Sequence, residues 1–126
     1  MPLVRIQLPP GKPAAFARAV SAGVHQALVE AFKVPEDDLF QIVTSGDGEI
    51  VRSARYLGIE YGPDFTIVQI TANEGRTVEQ KKALYEAIAD RLEADPGLRR
   101  QDVVISLVEV KRENWSFGNG EAQYAS

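Results

Sequence analysis

The residue best equipped for chemistry stands second in the chain. Removal of Met1 leaves Pro2 with a free secondary amine at the head of a short extended stretch, Leu3-Val4-Arg5-Ile6-Gln7. Such an amine accepts a proton when neutral and donates one when charged. An ordinary α-amino group titrates near pH ~8. Burial or a neighbouring cation lowers that value, into the range useful for general acid–base work. Many chains begin Met-Pro because a small second residue permits loss of Met1, so the dipeptide means little unless the fold builds a site around it. Other chemistries have fewer candidates. The 126 residues include no Cys and one His, His25, which removes thiolate chemistry and disulfides and leaves no clustered ligands for zinc. Nothing in the chain calls for a metal or an organic cofactor.

The elements that must position Pro2 follow in order. Val4, Ile6 and Leu8 alternate with Leu3, Arg5 and Gln7 in a strand that Pro9-Pro10-Gly11 ends. Lys12 to Phe32 reads as a helix with Pro13 in its first turn. Its apolar stripe is Phe16, Val20, Val24, Leu28 and Phe32, with His25 beside it as a boundary residue rather than a catalyst. Val34-Pro35-Glu36-Asp37-Asp38 is a turn, and Leu39 to Thr44 a second strand. After a loop at 45–49, residues 50–64 are the least regular part of the chain. Phe65 to Ala72 is rich in β-branched residues and reads as a buried strand. Thr77-Val78-Glu79-Gln80 matches a capping box, opening a helix with Leu84, Ile88 and Leu92 on one face and Asp95-Pro96-Gly97 at its end. Asp102 to Val110 is the fourth strand. An aromatic, glycine-rich tail closes the sequence.

The two halves, about 2–45 and 65–110, are one unit written twice. A shift of 64 residues, the separation of Gly11 and Gly75, superposes Val4 and Ile6 on Val68 and Ile70. The same shift superposes Val20, Val24 and Leu28 on Leu84, Ile88 and Leu92, and Asp38 on Asp102. Coincidence at one ungapped offset marks an internal repeat. The predicted fold is α/β in its α+β sense: one domain made of a duplicated βαβ unit, with a four-stranded mixed sheet and both helices on one face. Each unit has parallel strands and a right-handed crossover, and a pseudo-twofold sets strand one antiparallel to strand three. Pro2, Asp38 and Arg76 then converge at one end of the sheet. A ferredoxin-like order, with strand three between strands one and two, keeps Pro2 near Arg76 as well. The uncovered face, expected to be largely apolar, calls for self-association.

Composition bounds the partners. Hydrophobic residues make up 44% of the chain and charged residues 25%, and the net charge is −4, ordinary for a globular domain and unsuited to a general nucleic-acid surface. No stretch approaches the ~20 apolar residues of a membrane span. No secretory signal pattern precedes Pro2, so a cytoplasmic protein with Pro2 as its working terminus is expected.

At this point the residues carry a likeness. The duplicated βαβ with Pro at position 2 resembles the tautomerase superfamily, which has the fold of macrophage migration inhibitory factor-like proteins and whose members use an amino-terminal proline as acid or base. Three stretches are similar to the group containing malonate semialdehyde decarboxylase: Val34 to Gln41, Gly75 to Tyr85, and Trp115-Ser116-Phe117-Gly118-Asn119-Gly120. The resemblance covers essentially the whole chain. It implies a homotrimer with sites near subunit boundaries, Pro2 as the catalytic amine, Asp38 as the carboxylate that activates or orients a reacting group, and Arg76 as binder of a small anionic substrate. In the decarboxylase a second arginine stands two residues before the one matching Arg76; here that place is Glu74. A guanidinium pair clamps a carboxylate, whereas Glu74 repels one. The departure favours a keto–enol tautomerase acting on a 2-oxo or 2-hydroxyalkenoate over a 3-oxo acid decarboxylase or hydratase. A catalytically idle trimeric interaction module is the reading from another class.

The remaining candidates each carry two readings. Asp38 helps catalysis, or simply caps a turn or contacts the chain start, since its mate Asp102 shows that an acid at this place can be structural; Asp37 is a weaker choice for the same role. Trp115, Phe117 and Tyr124 wall an apolar pocket for a substrate tail or seal a subunit contact, with Gly118 and Gly120 letting the tail turn. Gln41, one step inside the site edge, is a candidate hydrogen-bonding partner for substrate. Arg52 and Arg55, in the irregular segment, are candidates for a second anion anchor.

Overall fold

The computed structural model describes residues 2–46 and 48–125. Met1, Asp47 and Ser126, and with them the expected removal of Met1, lie outside the described residues. Strands β1 (Leu3–Leu8) and β2 (Gln41–Ser45) flank helix α1 (Ala14–Phe32). A small hairpin, β3 (Arg55–Tyr56) and β4 (Ile59–Glu60), interrupts the segment read as irregular. Strands β5 (Thr66–Asn73) and β6 (Val103–Val110) flank α2 (Val78–Ala94).

The main sheet has the order β2-β1-β5-β6. Strand β1 runs parallel to β2 and antiparallel to β5, and β5 runs parallel to β6. The ferredoxin-like order is therefore excluded: β1 pairs with β2 directly. The repeat holds to the residue. Val4 pairs with Gln41 in the first half, and Val68 with Ile105, both shifted by the same offset, in the second. The helices begin at Ala14 and Val78, again equivalent positions.

Local sequence explains how each helix starts. At α2 the capping box forms as read: the Gln80 N–H donates to Thr77 Oγ1 at 3.1 Å, and the Thr77 N–H donates to Gln80 Oε1 at 2.8 Å. Helix α1 lacks a side-chain cap, and Pro13 is its extended N-cap residue rather than part of its first turn. Its C-terminus closes on Lys33 in a left-handed conformation (φ 58°).

One sheet face and both helices share the core. Val4, Ile6, Leu8, Val68, Ile70 and Ala72 pack under Val20, Val24, Leu28, Leu84, Ile88 and Leu92, all buried. The helices approach closely at Gly23, where an added Cβ would stand 2.9 Å from Leu92 Cδ2. The opposite face corrects the expectation of a largely apolar surface. The register aligns Leu3, Arg5 and Gln7 with Ile42, Thr44, Ile67, Gln69 and Thr71, and extends to Val104, Ser106 and Val108. Each strand contributes at least one polar side chain there, so the face is mixed. No helix among the described residues is long and apolar enough to cross a membrane.

Candidate active site

Two registers fix the surroundings of Pro2, which is buried. The Val4 N–H donates to Phe40 O at 3.0 Å, and Val4 is level with Gln41, so Pro2 begins beside the Asp38–Leu39 segment that leads into β2. On its other side Leu3 is opposite Thr71, so β5 passes Pro2 as it runs out to Asn73. Arg76 follows three residues later, and its Nη1 donates to Asn73 O at 3.1 Å. Its guanidinium carbon lies 4.6 Å from the centre of the Phe32 ring, a cation–π contact that fixes the group. Pro2, Asp38 and Arg76 thus occupy one end of the sheet, as the repeat requires.

Asp38 is half-buried, and its backbone N–H donates to Pro35 O at 3.0 Å. The turn that carries it is held from below by His25, whose Nε2–H donates to Glu36 O at 2.8 Å. Buried at the edge of the α1 stripe, His25 is a structural tie. Asp37 and Asp38 line an open cavity of about 290 Å³ with Pro35, Phe40, Phe117 and Tyr124.

The tail supplies the aromatic wall of this cavity. Phe117 stacks on Trp115 (5.7 Å, 15°), meets Tyr124 edge-on (4.8 Å, 71°) and faces Phe40 at 6.5 Å. The chain turns at Gly118 (φ 133°) and Gly120 (φ 68°), conformations that favour glycine. Trp115 Nε1 donates to Asn73 Oδ1 at 2.7 Å, so a chain of contacts runs from the Asp38 cavity through Phe117, Trp115 and Asn73 to Arg76. Asn73 escaped the sequence reading. Its only signal was its place in the turn before Arg76.

Three candidates fall elsewhere. Gln41 is not turned to the Pro2 end: its Nε2 donates to Ser21 O at 3.1 Å and its Oε1 accepts the Ser21 hydroxyl. Its parallel register with Val4 puts it on the helix side of the sheet, so it ties β2 to α1 rather than offering a free amide to substrate. Arg52 and Arg55 lie at the far end of the sheet. Arg52 Nη2 donates to Gly62 O at 2.9 Å and its guanidinium rests 5.1 Å from the Phe65 ring centre; Arg55 pairs with Glu60.

Glu74 stands beside the site, exposed, its N–H donating to Val110 O at 2.9 Å. It shares a second open cavity with Lys111, Arg112, Glu113 and Tyr124. Arg112 lies 4.7 Å from the Tyr124 ring centre.

Comparison with known proteins agrees with this fold. The sequence matches families described as tautomerase enzymes over residues 38–118 and over residues 2–45. It is 40% identical to the probable tautomerase YusQ of Bacillus subtilis (strain 168) over 124 residues, 98% of each chain. The probable tautomerase YrdN of the same organism is 33% identical over 125 residues, 98% of this chain and 96% of that one. Among solved structures, FG41 malonate semialdehyde decarboxylase inhibited by 3-bromopropiolate superposes with a TM-score of 0.90 at 37% identity, covering 97% of this chain and 93% of that one. A fused 4-OT, a symmetric trimer, has the same fold at 24% identity and a TM-score of 0.76, covering 98% of each chain. The match in sequence and the pseudo-twofold sheet with Pro2 at its head lead to one conclusion: the chain belongs to the tautomerase family.

Proposed function

We propose that this protein is a keto–enol tautomerase for a small anionic 2-hydroxyalkenoate and its 2-oxo form, with Pro2 as the acid–base group. The observation that carries the reading is Arg76. It is held by Asn73 and Phe32 at the end of the sheet where Pro2 begins, with Glu74 rather than a second cation two residues before it. One guanidinium anchors one carboxylate through paired N–H donors. The start of α2, immediately after Arg76, adds the partial positive charge of its unpaired backbone N–H groups.

In the proposed cycle neutral Pro2 takes the proton from the enol hydroxyl. The O–H electron pair becomes the second bond of the carbonyl, and the carbon–carbon π pair moves to the neighbouring carbon. That carbon accepts the proton from the Pro2 ammonium, which restores the free amine. Asp38 orients the reacting oxygen, and Phe117, Trp115 and Tyr124 cover the substrate's apolar end. Arg76, close by, favours the neutral amine that begins the cycle.

Relatives at 37% and 32% identity are malonate semialdehyde decarboxylases, which supports a second reading, decarboxylation of a 3-oxo acid. Glu74 weighs against it by repelling the single negative charge that moves from the carboxylate to the enolate oxygen as CO₂ leaves. Ketonisation of phenylenolpyruvate, followed by absorbance, tests the first reading; CO₂ release from malonate semialdehyde tests the second. Inactivity with both, and with other 2-hydroxydienoates, points to an idle interaction module. Fused 4-OT relatives are trimers, and the uncovered mixed sheet face supports a homotrimer here. Light scattering on the purified protein checks its mass.

A further inference from the structure

We propose that Asn73 is a positioning residue that holds Trp115, and through it the aromatic wall, in register with Arg76; the proposal rests on the tautomerase reading above. Asn73 ends β5 level with Val110 and just beyond the residues that face Pro2. Its two oxygens serve two parts of the site. The main-chain oxygen accepts from Arg76 Nη1 at 3.1 Å, and the side-chain oxygen accepts from Trp115 Nε1 at 2.7 Å.

The two bonds differ in what they do. A guanidinium has five N–H donors in a rigid fork, so spending one edge on Asn73 leaves the other aimed at a carboxylate. An indole has a single donor, and Asn73 takes it. The tail beyond β6 forms one short 3-10 turn (Arg112–Asn114) and otherwise no regular structure. Its other side-chain hydrogen bonds among the described residues, between Gln123 and the backbone of residues 117–118, stay inside the tail. Among the described residues, then, the Trp115 bond to Asn73 is the side-chain hydrogen bond that ties the aromatic run to the sheet, beside the looser ring contact of Phe117 with Phe40. The repeat mate of Asn73 is Pro9, which has no amide side chain. The device therefore belongs to the Pro2 end alone. A substrate with its carboxylate on Arg76 and its apolar end against Phe117 spans both parts, and Asn73 sets the distance between them.

Trp115 is the single tryptophan, so its emission reports the bond directly. In Asn73→Ala the indole loses its acceptor. The expected results are a red-shifted emission, easier quenching by acrylamide, and a KM for phenylenolpyruvate raised about two- to tenfold with a smaller change in kcat. Asn73→Asp keeps the acceptor and leaves the emission native. Trp115→Phe removes the donor instead, and combining it with Asn73→Ala adds nothing further to KM, because both act through one bond. Unchanged emission in Asn73→Ala, or independent additive effects on KM, overturns the proposal. If the wild type fails to ketonise phenylenolpyruvate, the tautomerase reading falls while the emission of Asn73→Ala and Asn73→Asp still decides whether Asn73 holds the wall. If Asn73→Ala does not fold, Trp115→Phe and Asn73→Asp carry the test: the first is expected to raise KM, the second to keep native emission.

Discussion

Arg5 and Gln69 face each other across the two central strands and are also each other's counterparts in the internal repeat, so the pseudo-twofold axis passes between them. Everything at the Pro2 end therefore has an image at the other end. The image of Asp38 is Asp102, fully buried, which accepts the Gly62 N–H at 2.6 Å and lies 3.6 Å from Arg99. The image of Arg76 is Lys12, paired with Asp64 at 2.9 Å. The image of Pro2 is Thr66, whose hydroxyl donates to Asp64 O at 3.0 Å. One copy of the motif is closed by the 60–64 segment, while the other borders the open cavity lined by Asp37 and Asp38.

The two aspartates should accordingly respond differently to substitution. Asp102→Ala leaves the Gly62 N–H without its acceptor and Arg99 without its ion-pair partner, and is expected to lower unfolding free energy by about 1–3 kcal/mol. Urea unfolding followed by circular dichroism measures it. Asp38→Asn is expected to reduce kcat for ketonisation.

Pro2→Ala replaces the secondary amine by a more flexible primary one. A loss of about 10²–10⁴-fold in kcat/KM is expected, the usual worth of a positioned acid–base group. Protein shown by intact mass to retain Met1 is expected to be equally poor. Full activity in that material would remove Pro2 from the mechanism.

Arg76→Ala is expected to raise KM for a carboxylate substrate by about 10–100-fold, with kcat changed less, since a hydrogen bond to a charged group contributes about 1.5–3 kcal/mol. Glu74→Arg reverses the charge that separates this chain from the decarboxylase pattern. It is expected to lower KM for the same substrate and to raise CO₂ release from malonate semialdehyde. Steady-state kinetics on both substrates reads the two effects together.

Gly23→Ala tests the packing that holds the repeat together. The new methyl meets Leu92 Cδ2 at 2.9 Å, too close for a well-packed helix pair. A gain in helix propensity of up to about 1 kcal/mol is expected to be outweighed by a clash costing about 1–3 kcal/mol. The net loss appears as a lower Tm.

Much of this architecture was legible in the chain itself. Period-two and period-four apolar spacing, the Thr77–Gln80 box and an ungapped repeat are local or translational signals, and each survives in the structure at the positions read. They also brought Pro2, Asp38 and Arg76 to one end of the sheet, because parallel strands within a unit and a twofold between units leave no other place for them. Tertiary structure decided what depends on neighbours distant in sequence. The order β2-β1-β5-β6 prevailed over a ferredoxin-like order that has the same elements. Gln41 was claimed by Ser21, 20 residues away, and Arg52 by the far end of the sheet. Asn73 was found bonded both to Arg76 and to a tryptophan 42 residues later. Apolar periodicity records only which face of an element is buried. Which polar partner each side chain meets is set by packing, and at this site packing joined Asn73 to Trp115.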